Sequence, residues 1–345
     1  MYKNIIESAN EGRLAYKEGI DAFLNMMKER GYHERESFFP AENLPSQSEE
    51  YRSRYVKMLG LDNISSEGAP APVLTELSED DDTKIFRTSI YITKEIPQLG
   101  LLLVPKSKEK TPLVIAQHGG GGTPELCADM NGENSYGNTV KRLLSRGASV
   151  FLPQLLLWNT NEEDKKHPCH KIPYNREETD KELKRYGMSI TALEIRGIMN
   201  AITFLSSLPF IDGDSIAMTG VSYGGYFTLY TMAADTRIKA GYSNACFNDR
   251  NSYPWQDLCY PNSANTFHDA EVSGLCAPRK LYVSVGKSDG VFDYKGAINE
   301  SLRAKKYFNA WGCPENFVFS VWDGGHTVPP IDDGFDFLFS AFKKI

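Results

Sequence analysis

Long apolar runs, clustered cysteines and surplus positive charge are all missing from this 345-residue chain. No stretch reaches the roughly 18 apolar residues a membrane span needs, and MYKNIIESANEGRLAYKEG at the start holds no apolar core of about 7–15 residues. Neither spanning nor export is therefore expected. Lysine and arginine number 38 against 45 aspartates and glutamates, a net charge of -7. Nothing in that balance attracts a phosphate backbone or anionic lipid, so neither nucleic acid nor membrane is an expected partner.

The six cysteines, at 127, 169, 246, 259, 276 and 313, form no Cys-x-x-Cys pair and are too sparse for a disulfide scaffold, which predicts reduced thiols and a cytoplasmic protein. His167, Cys169 and His170 sit together in HPCHK, but a tetrahedral zinc site needs further ligands at suitable spacing, and no metal is expected. Neither a P-loop nor a dinucleotide fingerprint occurs. With 41% hydrophobic and 24% charged residues the chain is neither disordered nor collagen-like.

What is present changes character along the chain. Residues 1–70 read as a helical extension packed on the rest. Ile20, Phe23, Leu24 and Met27 recur at three- and four-residue steps within Tyr16 to Arg30, with Gly31 as the expected stop. A second helix is expected from Ser46-Gln47-Ser48-Glu49, which has capping-box spacing, to Gly60. Residues 71–345 read as an α/β domain. Alternation over Ile85 to Ile92 and the apolar run Leu99 to Val104 predict antiparallel strands, and the acidic Glu79 to Asp82 their turn.

Then come short apolar runs suited to strands buried on both faces: Leu113 to Ala116, Ala148 to Leu152, Ser215 to Thr219, Ala240 to Ala245, Lys280 to Val285 and Phe317 to Val321. Helical stretches between them, notably Ser189 to Leu208, predict a mainly parallel sheet with helices on both faces. A polar insertion at about 159–187 breaks the rhythm, and loops of that length often border a site.

Gly220-Val221-Ser222-Tyr223-Gly224 follows a strand-like run and precedes a helical one. A Gly-x-Ser-x-Gly turn in that context lifts a serine hydroxyl clear of a sheet, which makes Ser222 the candidate nucleophile. A serine needs a neutral imidazole as base and a carboxylate to orient it. His326, in Trp322-Asp323-Gly324-Gly325-His326, and Asp289, in VSVGKSDG, each follow a strand, and Ser222, Asp289, His326 is the chain order this chemistry takes on such sheets. Asp293 is the alternative acid, disfavoured because the Ser-Asp-Gly turn directly follows the strand. Asp323 reads as a turn residue. His118-Gly119-Gly120-Gly121-Gly122 follows another strand, and the N–H groups of Tyr223 and Gly120 are the candidate oxyanion donors. Trp158, Arg250 and Trp255 follow strands on what should be the same face and are candidate substrate contacts, the alternative being that the aromatic rings pack beneath the loop.

With HGGGG, GVSYGG, APRKLYVSVGKSDG and GGH in sequence over residues 100 to 345, the chain resembles the α/β-hydrolase superfamily, in particular its dienelactone hydrolase-like and acetyl xylan esterase-like branch. The resemblance implies a serine esterase without a cofactor, acting on short-acyl esters of small alcohols or carbohydrates. Dienelactone hydrolases carry cysteine where Ser222 stands. SYGGY is also similar to the elbow of prolyl-oligopeptidase-type peptidases, which makes aminoacyl peptidase action the alternative, alongside a non-catalytic binding protein on the same fold.

Overall fold

The computed structural model describes residues 2–158 and 172–342. Its chain order is α1 (Tyr2–Phe38), α2 (Leu44–Leu59), β1 (Val73–Glu79), β2 (Thr83–Tyr91), β3 (Pro97–Pro105), β4 (Thr111–Gln117), α3 (Pro124–Cys127), α4 (Thr139–Leu144), β5 (Ser149–Pro153), α5 (Arg176–Arg185) and α6 (Ile190–Leu205), followed by β6 (Ile211–Val221), α7 (Tyr223–Ala234), β7 (Ile238–Asn244), α8 (Asp269–Cys276), β8 (Lys280–Gly286), α9 (Tyr294–Ala310), β9 (Phe317–Trp322) and α10 (Asp333–Phe339). Every apolar run read as a strand is one. The insertion expected at 159–187 contains α5, and its residues 159–171, with His167, Cys169 and His170, lie outside the described residues.

The strands form one sheet in the order β1-β2-β3-β5-β4-β6-β7-β8-β9 among the described residues. Pairings from β1 to β5 along that order are antiparallel and the remainder parallel. β4 is buried throughout, as are β7 and β8 but for one residue each, because helices cover both faces. The chain leaves β4 toward β5 on one side and leaves β6 toward β7 on the other. Adjacent strands whose connections diverge open a crevice at their C-terminal ends, and ligands bind open α/β sheets at such a point.

α2 ends where expected, at Gly60 with φ 78°, whose N–H closes on Lys57 O at 3.0 Å. It starts two residues earlier than expected, at Leu44, and is kinked at Gln47. Its buried residues Tyr51, Tyr55 and Leu59 share one face and join the core beneath α7, where Tyr55 Oη donates to Tyr230 O at 3.0 Å. α1 departs more from expectation, since Gly31 does not stop it and its residues before about 30 stand exposed, so that the extension expected to pack on the rest does so only from the last turns of α1 onward. A side chain there would collide with Ala264 O, so the glycine lets the helix dock and continue. The docked end is held by Arg35, which is fully buried and paired with Glu271 at 3.2 Å and Glu300 at 3.1 Å.

Candidate active site

Ser222 joins β6 to α7 with φ 58° and ψ -123°, a region costly for any residue with a side chain. Its neighbours make the turn possible. A Cβ on Gly224 would lie 2.1 Å from Gln117 O, and one on Gly220 would lie 2.5 Å from the Gly224 backbone. Neighbouring strands hold the strained residue: Ser222 N–H donates to Asn244 O at 2.9 Å, and the Asn244 side chain donates to Gly220 O at 3.1 Å and accepts from the Ser284 hydroxyl at 2.7 Å. Tyr223 opens α7, so its N–H has no acceptor within the helix and stands at the positive end of the helix dipole.

Asp289 and His326 meet at the ends of β8 and β9. The two loops are knitted together by Lys287 N–H to Trp322 O at 3.0 Å and Ser288 N–H to Gly324 O at 2.9 Å. His326 Nδ1 lies 2.8 Å from Asp289 Oδ2, while Asp289 Oδ1 accepts from the N–H groups of Val291 at 2.7 Å and Phe292 at 3.1 Å. Burial by itself would raise the Asp289 carboxyl, but His326 and those two N–H groups outweigh it and hold it below the usual carboxylate range. An ionised Asp289 makes Nδ1 the protonated nitrogen and leaves Nε2 as the basic one. Asp293 is not the partner: its carboxylate caps α9 through Lys295 N–H at 3.0 Å. Asp323 lies on the surface, paired with Lys287 at 2.6 Å.

On the crevice's other side, the glycine loop after β4 reaches the elbow, and a Cβ on Gly119 would lie 3.3 Å from Ser222 Cβ. His118 anchors that loop, a role its glycine-rich motif does not disclose. Its Nδ1 bonds to Gly119 O at 2.8 Å and its Nε2 accepts from Leu155 N–H at 3.1 Å, which fixes one tautomer. Complete burial brings its pKa down to about 4, so the ring is neutral and acts as a strut between β4 and β5.

The expected substrate contacts divide. Trp158 and Trp255, with Tyr223, line a cavity of about 230 Å³ beside the elbow, and Trp158 also walls a second of about 280 Å³. The Trp158 indole lies against Gly120, where any side chain would displace it. An aromatic chain leads from the elbow to the base: Tyr223 to Trp255 at 5.6 Å between ring centres, Trp255 to Phe292 at 5.3 Å, and Phe292 to His326 at 5.8 Å. Arg250 does not belong to this surface. It is buried, with Nε 2.8 Å and Nη2 2.6 Å from the Asp269 carboxylate, so its charge is spent holding the loop after β7 onto α8.

A different arginine stands at the cavity. Arg176, at the start of α5, forks onto Glu194 at 2.8 Å through both terminal nitrogens and reaches Asp257 at 2.6 Å through Nε. Asp257 also accepts from Tyr223 Oη at 3.3 Å, tying the trio to the elbow. Its members are 18 and 81 residues apart, and no local pattern announced their meeting.

Comparison with known structures agrees with this topology. A glucuronoyl esterase from Solibacter usitatus superposes with a TM-score of 0.58 at 15% identity, over 84% of this chain and 92% of that one. The chain has the α/β-hydrolase fold. Acetyl xylan esterase 1 from a Thermoanaerobacterium species superposes at 0.54 and 14% identity, over 86% of this chain and 94% of that one. A methylesterase gives 0.63 and 18% identity over 85% of this chain, but only 63% of its own length is matched. The profile of the Prolyl oligopeptidase family matches residues 192–271, which in this chain run from α6 through the elbow into α8. No curated protein sequence matches the chain.

Proposed function

We propose that the protein is a serine hydrolase of carboxylic esters, with Ser222 as nucleophile, His326 as general base and acid, and Asp289 as the orienting carboxylate. The observation that carries this reading is the hydrogen bond at 2.8 Å between His326 Nδ1 and Asp289 Oδ2, on loops two and three strands along the sheet from the strained serine. His326 Nε2 takes the Ser222 proton as the hydroxyl attacks the ester carbonyl, and the N–H groups of Tyr223 and Gly120 hold the resulting oxyanion. Collapse expels the alcohol, protonated by His326, and leaves an acyl group on Ser222. Water activated by the same ring then releases the acid.

Trp158 and Trp255 suit the flat apolar face of a sugar, and the carboxylates at the cavity suit its hydroxyls. A short-acyl ester on a carbohydrate is the favoured substrate, in keeping with the esterases of similar fold. Among the described residues five cysteines are free, and no single helix is long and apolar enough to cross a membrane. The free thiols support a cytoplasmic location.

Assay against acetyl and longer p-nitrophenyl esters, acetylated sugars and aminoacyl amides tests the proposal. Ester turnover that vanishes in Ser222→Ala is expected. The match to the Prolyl oligopeptidase family supports one second reading, an aminoacyl peptidase on the same residues, which amide turnover exceeding ester turnover would establish.

A further inference from the structure

The first thirty residues of α1 project from the body as a rod about 45 Å long at 1.5 Å per residue. They carry large apolar side chains in the open, among them Tyr2 at 77% exposure, Tyr16 at 75% and Phe23 at 57%. Positions 2, 6, 9, 13, 16, 20, 23 and 27 alternate steps of four and three, the seven-residue period by which one helix packs along another. Flanking this seam, Gly12 and Gly19 stand seven residues apart on exposed helix where a side chain would meet nothing. Each lowers helix stability relative to alanine. Glycines so placed permit close approach of a neighbour that the single chain does not supply.

We propose that this helix pairs antiparallel with the same helix of a second copy of the chain. The pattern matches itself in one register. Tyr2 then faces Met27, Ile6 faces Phe23, Ala9 faces Ile20 and Arg13 lies against Tyr16, each pair summing to 29, and the two-fold axis passes between residues 14 and 15. In that register Gly12 meets Gly19 and Ile5 meets Met26 along one flank. With roughly 100 Å² still exposed on each of eight large apolar side chains, the pair buries about 1,600 Å², the size of a specific interface. Five basic and five acidic residues between positions 2 and 30 leave the rod neutral, which gives two copies no repulsion and an anionic membrane no attraction.

The test is sedimentation of the full chain at tens of micromolar, with small-angle X-ray scattering. The expected particle has twice the 38.7 kDa of one chain, its two bodies attached about 50 Å apart along the paired rods and a two-peaked distance distribution. Ile20→Asp combined with Phe23→Asp is expected to halve the mass with an unchanged unfolding midpoint of the body. Gly12→Gln with Gly19→Gln, which has room in the single chain and favours helix, is expected to weaken association at least tenfold. A monomer at every concentration, a dimer indifferent to these substitutions, bodies side by side, or a monomer that binds vesicles would each overturn the proposal.

Discussion

At the C-terminal edge of the sheet a methyl group on Gly224 would sit 2.1 Å from a backbone oxygen, whereas at Gly12 and Gly19 on α1 it would meet nothing at all. In the first region the glycine is demanded by the fold's own backbone, and Ser222 beside it is held in its strained turn by Asn244 on the neighbouring strand. In the second the seven-residue spacing is just as ordered, yet nothing within the chain enforces it. Contacts of the chain with itself therefore account for the candidate active site, while the projecting helix needs a constraint from outside.

This contrast is sharpest in what substitutions should do. Ser222→Ala is expected to lower ester turnover by about 10⁴–10⁶-fold with the unfolding midpoint unchanged or raised, since the strained turn remains and only the nucleophile goes. Steady-state kinetics beside thermal melts would show it. Asp289→Asn should cost about 10³–10⁴-fold in kcat, because an amide cannot hold His326 Nδ1 protonated; a KM effect alone would contradict the role. Gly224→Ala should destabilise the fold by about 3 kcal/mol or more through collision with Gln117 O, measurable by denaturant titration, whereas Gly12→Ala should be neutral to slightly stabilising in the single chain.

Stability should also respond to acid. His118 is held at about 4 by burial, and His268 is held well below its ordinary value by burial and by Arg35, Arg250 and Arg303. Both rings take protons in the unfolded chain near pH 6.5 and resist them when folded, so the unfolded state binds more protons as pH falls from about 6.5 toward 4 and stability drops over that window. His118 alone accounts for about 3 kcal/mol at most. Melts between pH 7 and 4 of the protein beside a His118→Asn variant would isolate the loss, since the buried Glu300 carboxyl, raised to about 8, pulls the other way; the same pH dependence in both would contradict the neutral strut. The smallest effect belongs to the cavity: Trp255→Ala is expected to raise KM about tenfold with kcat little changed.

The division between what the sequence disclosed and what it concealed follows range along the chain. The elbow at Ser222 was legible because it is local, five residues between a strand and a helix. The choice of Asp289 over Asp293 was legible because the turn signal adjoins β8. Arg250 misled because its partner, Asp269, lies on a later helix, and Arg176 passed unnoticed because its partners come from α6 and the loop after β7. β1 escaped because an exposed edge strand leaves little apolar pattern. Gly31 was misread as a helix stop, since close packing and chain reversal call for the same residue.

The most direct test of the catalytic proposal is labelling with a fluorophosphonate followed by peptide mass spectrometry. One stoichiometric adduct is expected, on Ser222, lost in Ser222→Ala and strongly slowed in His326→Ala. No adduct on the folded protein, or an adduct that persists in the Ser222→Ala variant, would contradict it.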